Sequence, residues 1–286
     1  MMRFFSGRPS VIRNKISILS KNLIKGKKKN KPLIGLALGG GAAWGISHVG
    51  VLKALEENHI SISCICGTSI GSLIGGLYAA GISTERLFDL VTHAKWKKLS
   101  HLSLPLNGFL SNEPMEELIE NIIGDRTFHS LNIPFAAVAT DLVSGEEVIL
   151  DKGKFSTAIR ASCAIPGIFQ PVHYNGRTLV DGGVVNNVPV SVAKKMGADM
   201  VIGVNVSPLL NHWMPKNSLQ IILKSYLIMQ NKVARREASE ADVLIAVDTN
   251  GYSPIDLTSS RDLYHRGYLA GLTNIDKIKH CIDEKR

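Results

Sequence analysis

The sequence predicts an α/β fold with a mainly parallel central sheet covered by helices on both faces, and three observations predict it. Apolar runs of strand length alternate with segments of helical period from Pro32 onward. Two glycine-rich turns each lie between a strand-like run and a helical one. The 286 residues are 45% hydrophobic, enough to bury one large core. One globular domain over 32–286 follows, preceded by a short tail over 1–31.

Taken in order, Leu33 to Leu38 reads as the first strand and His48 to Asn58 as the helix after it, with a glycine loop between them. Ile60 to Thr84 holds no formally charged side chain and is long enough on paper to span a bilayer. It opens, however, with alternating Ile62, Cys64 and Cys66 and then meets Gly67, Ser69 and Gly71. That pattern reads as a buried strand over Ile60 to Cys66 turning sharply into a helix over Ile70 to Ala80. The series Gly67, Gly71, Gly75 and Ala79 then suits a helix packed closely on a sheet rather than a membrane dimer. Further strands are expected at Pro134 to Thr140, Glu146 to Leu150, Met200 to Val206 and Val243 to Val247. Helices are expected near Pro114 to Ile123, Ser156 to Ser162, Val188 to Met196 and Leu219 to Arg236. Lys95 to Ser111 is a long connection with apolar residues, of the kind that forms lids or binding loops. In such a sheet the loops at the carboxyl ends of the strands carry the site.

A net charge of +9 suggests nucleic acid until it is divided along the chain. Ten of the 33 basic residues lie in residues 1–31 with no acid among them, leaving 23 basic against 24 acidic in the remainder. The body is therefore nearly neutral, which argues against a nucleic-acid partner. In the tail, Ile12, Ile16, Leu19 and Leu23 repeat at helical spacing opposite Asn14, Ser17, Lys21 and Lys25. This basic amphipathic segment, followed by Lys27, Lys28 and Lys29, suits an anionic membrane surface, where each cation contributes about 1 kcal/mol. A solvated arm is the plainer reading, and a mitochondrial presequence shares the basic, acid-free character. No apolar core with a small-residue cleavage site follows the positive start, so the expected location is the cytoplasm, with peripheral membrane contact through the tail. Cys64, Cys66, Cys163 and Cys281 make neither a CxxC pair nor a disulfide framework, and read as reduced thiols with no metal site.

Three constellations could carry chemistry. Gly39-Gly40-Gly41-Ala42-Ala43-Trp44-Gly45 lets backbone approach a ligand, with helix-start amides aimed at developing negative charge. A dinucleotide site would need an acid at the end of the next strand, and a P-loop would need Gly-Lys-Ser/Thr; neither is present. Gly67-Thr68-Ser69-Ile70-Gly71 is a strand-turn-helix serine elbow, with Ser69 as candidate nucleophile. A serine hydroxyl needs a base. Ser69, Asp248 and His265 follow the chain order of an α/β-hydrolase triad, but His265 falls on a predicted helix, a poor place for a loop-borne catalytic histidine. Leu179-Val180-Asp181-Gly182-Gly183 offers a carboxylate instead, which is a feeble base at an ordinary pKa of about 3.9 unless burial raises it.

The glycine loop, the serine elbow and Asp181-Gly182-Gly183 together resemble the patatin-like phospholipase family. So do Ser47 to Leu55, Ala139-Thr140-Asp141-Leu142 and Ala161 to Phe169. The resemblance runs from about Leu33 to Val206, with a thinner echo to about Gly271. It implies a three-layer α/β/α fold and a Ser-Asp dyad. Ser69 would attack an acyl ester and Asp181 would take its proton. Amides around Gly40, Gly41 and Ala42 would form the oxyanion hole, and water would release the fatty acid from an acyl-enzyme. The implied partners are lipid acyl esters, with no cofactor and no metal.

Two positions depart from the family pattern. Trp44 stands where members usually carry Arg or Lys, and Ala42 replaces a glycine often found in the fourth place. Three readings follow: a lipid acyl hydrolase (phospholipase A, lysophospholipase or carboxylesterase), a weakly active or inactive patatin-like lipid-binding protein, and a Ser-His-Asp esterase using Asp248 and His265.

Overall fold

The computed structural model describes residues 31–93, 101–102, 110–207 and 213–286. In chain order the first elements are β1 (Ile34–Leu38), α1 (Ser47–Glu57), β2 (Cys64–Thr68), α2 (Ile70–Ala79), α3 (Thr84–Thr92), β3 (His101–Leu102), β4 (Leu110–Ser111) and α4 (Glu113–Ile123). They continue with β5 (Phe135–Asp141), β6 (Glu147–Leu150), α5 (Phe155–Ser162), β7 (Val172–Tyr174), β8 (Arg177–Asp181) and α6 (Val190–Lys195). The chain closes with β9 (Met200–Asn205), α7 (Ser218–Ala238), β10 (Val243–Ala246) and α8 (Ser260–Glu284). The basic tail predicted over 1–31 lies outside the described residues but for Lys31, as does most of the long connection after Lys95, of which β3 and β4 form a short antiparallel pair.

Among the described residues the main sheet runs β10-β9-β1-β2-β5-β8-β7, with β6 also paired to β5. β10, β9, β1, β2 and β5 are parallel, while β6, β7 and β8 join antiparallel at the β5 end. Side chains alternate across the pleat, so each central strand feeds two cores. Leu36, Leu38, Ile65, Ala137, Ile202 and Val204 enter one core with α1, α2 and α8. Ala37, Cys66, Ala136, Val138 and Val201 enter the other with Val190, Val192 and Ala193 of α6 and Ala234 of α7. This is the three-layer α/β/α arrangement, and burial on both faces explains why these strands read as continuous apolar runs. No helix among the described residues is long and apolar enough to cross a membrane.

The apolar run Ile60 to Cys66 is only partly strand. β2 starts at Cys64 because its partner β1 starts at Ile34, with Gly35 in register with Cys64 and Leu38 with Gly67. Ile60 instead donates its amide to the Leu55 carbonyl as α1 ends, at 3.0 Å. The same register brings the ends of β1 and β2 level, so the glycine loop and the serine turn leave the sheet side by side. β5 completes the arrangement: its Val138 pairs with Thr68 and its Ala139 with Asp181. Thr68 and Asp181 thus oppose adjacent residues of one strand, and Ser69 follows immediately.

Candidate active site

Ser69 has φ 55° and ψ −128°, a strained conformation for a residue with a side chain. What holds it there is the packing of α2 onto the sheet. A Cβ at Gly67 would collide with the Gly71 backbone, and one at Gly71 with the Leu38 carbonyl, so both glycines are fixed by close approach. The Ser69 amide donates to Ser162 Oγ at 2.9 Å, and that hydroxyl donates to the Val138 carbonyl at 2.6 Å. The Ser69 carbonyl in turn accepts from Ser72 Oγ at 2.7 Å. The hydroxyl-bearing residue is therefore clamped from both peptide sides.

Asp181 is fully buried at the end of β8, and the backbone carbonyl it carries accepts from Thr140 Oγ1 at 3.0 Å. Its Oδ1 accepts the Gly183 amide at 2.8 Å, while Oδ2 is buried without a well-formed hydrogen bond. Burial pushes this carboxyl up to about 6, against the pull of the Ser69 hydroxyl, the Gly183 amide and the Tyr226 hydroxyl, which favour its ionised form. Burial and the Asp181 charge together hold Tyr226 protonated, so its hydroxyl acts on Asp181 as a donor. The weak base of an ordinary turn aspartate has become one that titrates near neutrality, beside Ser69.

The glycine loop presents a different division of labour from the one expected. The Gly40 amide already donates to the Asn187 carbonyl at 3.2 Å and to Asn187 Oδ1 at 3.0 Å. Gly40 therefore serves to bring the loop against Ser69: a Cβ there would lie 3.2 Å from the Ser69 Cβ. Gly39 is tied to Val204 O, Ala43 to Pro254 O and Trp44 to Gly41 O. The Gly41 and Ala42 amides have no hydrogen-bond acceptor among the described residues. Ala42 has φ 48°, a left-handed conformation that glycine would adopt without strain.

Trp44 is a core residue rather than a substitute for a surface cation, with its indole Nε1 donating to the Tyr252 carbonyl at 3.0 Å. His48 is fully buried, and its Nε2 meets the Gly39 carbonyl at 2.7 Å. A carbonyl can only accept, so Nε2 carries the proton, and burial lowers the imidazole to about 4 and keeps it neutral. It braces the loop. The Ser-His-Asp arrangement is not formed: His265 is exposed on α8, and the exposed Asp248 carboxylate pairs with Arg266 Nη1 at 3.0 Å. Neither lines the cavity that contains Ser69.

That cavity has a volume of about 790 Å³ and runs from Ser69 and Ala42 between α2, α3, α4 and the start of α7. Its wall is largely aliphatic and aromatic, with Leu73, Leu77, Met115, Ile119, Ile168 and Phe169 among the contributors. Cys163 also lines it, a buried thiol kept protonated by burial and by the Asp181 charge. All four cysteines are free.

With this geometry in hand, residues 36–194 match the patatin-like phospholipase family. The chain belongs to that family. An uncharacterized NTE family protein of Mycobacterium bovis is 37% identical over 180 residues, 62% of this chain and 50% of that protein. Lysophospholipase NTE1 of Meyerozyma guilliermondii is 30% identical over 268 residues, 82% of this chain and 19% of that protein. The patatin-like chain thus spans half the length of the first relative and about a fifth of the second. VipD from Legionella pneumophila shares the fold, with a TM-score of 0.54 at 14% identity over 90% of this chain and 67% of that one.

Ser162, Asn187, Tyr226 and Gln230 were not singled out as functional residues from sequence. Ser162 lies inside a stretch that carried the resemblance, and Asn187 follows Asp181 by six positions, so both had a local signal. Tyr226 and Gln230 had none, since only the docking of α7 brings them to Asp181 and Gly183.

Proposed function

We propose that this chain is a serine lipid acyl hydrolase that cleaves fatty-acyl esters through a Ser69-Asp181 dyad and an acyl-enzyme. One observation carries the reading: a strained serine lies beside a buried carboxylate raised to about 6, and that serine lines a largely apolar cavity of about 790 Å³. Ser69 Oγ attacks the ester carbonyl as the Asp181 carboxylate takes its proton. Negative charge develops on the carbonyl oxygen, and the Gly41 and Ala42 amides are the groups left to receive it. Collapse breaks the ester bond, and the proton on Asp181 passes to the departing alkoxide. Water then attacks the acyl-enzyme, Asp181 takes its proton, and the fatty acid leaves as Ser69 is regenerated. Burying each methylene of the acyl chain in the cavity contributes about 0.8 kcal/mol, which favours fatty over short acyl groups.

The names of the fungal relatives, lysophospholipases, support a lipid ester as substrate. The test is hydrolysis of medium-chain p-nitrophenyl esters and of a mixed lipid extract. Ser69→Ala and Asp181→Asn each abolish turnover, while His265→Ala retains most of it. Loss in the histidine variant with retention in Asp181→Asn would overturn the dyad.

A further inference from the structure

Helix α7 shows an unusual distribution of side chains. Its inward face, Leu223, Tyr226, Leu227, Gln230, Asn231, Ala234 and Ala238, is buried on the sheet. Its outward face follows the same helical period one side over: Ile221, Ile222, Ser225, Ile228, Met229, Lys232, Arg235 and Arg236 are all exposed. Where a surface helix ordinarily turns polar residues to water, this one presents Ile221 at 54% and Met229 at 60% exposure, with exposed Ile222 and Ile228 between them in sequence. Met214, 77% exposed, precedes the helix. The last two turns then become basic, and Glu237 is the single acid in the helix.

We propose that the outward face of α7 docks on an anionic lipid surface. Three observations select that occupant. The exposed apolar stripe with cations at one end is the pattern of a helix lying in the plane of a bilayer. Those cations, Lys232, Arg235 and Arg236, complement anionic headgroups. The apolar end of the helix also borders the cavity, because Asn217, Leu219, Gln220 and Leu223 line it. A lipid surface against this face would lie next to the end of α7 that walls the Ser69 cavity. The choice of lipid rests on the hydrolase reading above, whereas the exposed stripe does not. The α7 residues and the basic tail are different stretches of sequence, and either can be altered alone.

The test uses the full chain carrying Ser69→Ala, so that lipid is not consumed, and measures co-sedimentation with phosphatidylcholine vesicles with and without phosphatidylglycerol. Adding I221S, I228S and M229S lowers partitioning onto the mixed vesicles by about tenfold or more. Adding K232E, R235E and R236E instead removes the preference for phosphatidylglycerol and its salt sensitivity. With Ser69 intact, the triple serine variant hydrolyses a soluble p-nitrophenyl ester at the unaltered rate and melts as the parent does. Unchanged vesicle binding in both sets of variants overturns the proposal. So does loss of binding only on deletion of residues 1–31, which would assign the contact to the tail. A parent dimer that becomes a monomer in the triple serine variant, with vesicle binding unchanged, would give the face to a second copy. Stripe-dependent vesicle binding by a chain that hydrolyses no ester would keep the docking surface and discard the hydrolase.

Discussion

Replacing Asp181 by Asn separates the stability of the site from its chemistry. Burial raises this carboxyl from an ordinary 3.8 to about 6. The difference corresponds to about 3 kcal/mol at 1.36 kcal/mol per pH step. Its sign follows from which state holds the proton more tightly. The folded chain keeps Asp181 protonated at pH values where the unfolded chain has lost that proton. The favourable contribution is whole below about pH 3.8 and is lost as pH rises through about 6. Above pH 6 the ionised carboxylate is a standing cost to the fold. Asn carries no charge at any of these pH values and escapes that cost. D181N is therefore inactive, yet it gains stability relative to the parent as pH rises from 4 to 7, up to about 3 kcal/mol. At about 2–3 °C per kcal/mol for a domain of this size, the gap in Tm widens by about 6–9 °C. The assay is a pair of thermal or urea melts at half-unit pH intervals. A constant offset reflects the changed hydrogen bonding of the amide; only the pH-dependent part tests the argument. A Tm difference that stays flat between pH 4 and 7 would refute the buried, raised carboxylate.

Four further outcomes follow from the same geometry. The acid limb of kcat/KM on a soluble ester has an apparent pKa of about 6, because Asp181 must be ionised to act as base, and H265A leaves that limb in place; a limb that moves with His265 contradicts the dyad. S162A removes the acceptor for the Ser69 amide and the donor to Val138 O; urea melts then show a loss of about 1–3 kcal/mol, accompanied by a lower kcat. G71A drives a methyl into the Leu38 carbonyl, and soluble folded protein is lost or destabilised by about 3 kcal/mol or more. A42G relieves a positive φ worth about 1–2 kcal/mol and adds unfolded-chain entropy of about 0.4–1 kcal/mol; it melts at or slightly above the parent temperature with activity intact.

How much of this was legible in the sequence depends on whether a feature is local. Ser69 was, because the strained turn needs glycine on either side and those glycines are visible at fixed offsets. Asp181 was visible as a carboxylate ending an apolar run, but not as a base, since its raised pKa comes from burial that only the packed fold supplies. The hairpin of β7 and β8 went unnamed although its turn, Asn175-Gly176, carries a strong hairpin signal; both residues have positive φ, as such a turn requires. Helix α3 was likewise missed, although Ser83 accepts from the Arg86 amide at 3.2 Å as an ordinary N-cap. The start of β2 was misplaced because alternation in Ile60 to Cys66 cannot reveal where the partner strand begins. The occupation of the Gly40 amide by Asn187 joins residues 147 positions apart, and no local pattern encodes it.

The loop around Trp44 has a practical consequence for anyone cutting this protein into parts. The family match ends at residue 194, yet the glycine loop is held from beyond that point. Val204 supplies the acceptor for Gly39, Pro254 the acceptor for Ala43, and Tyr252 the acceptor for the Trp44 indole. A fragment trimmed to the recognisable motifs would keep the nucleophile, the carboxylate and the loop sequence while discarding the scaffold that gives the loop its shape. The smallest portable unit of this site extends past Pro254, and a transplant or truncation drawn from motif boundaries alone would carry the parts without the tool.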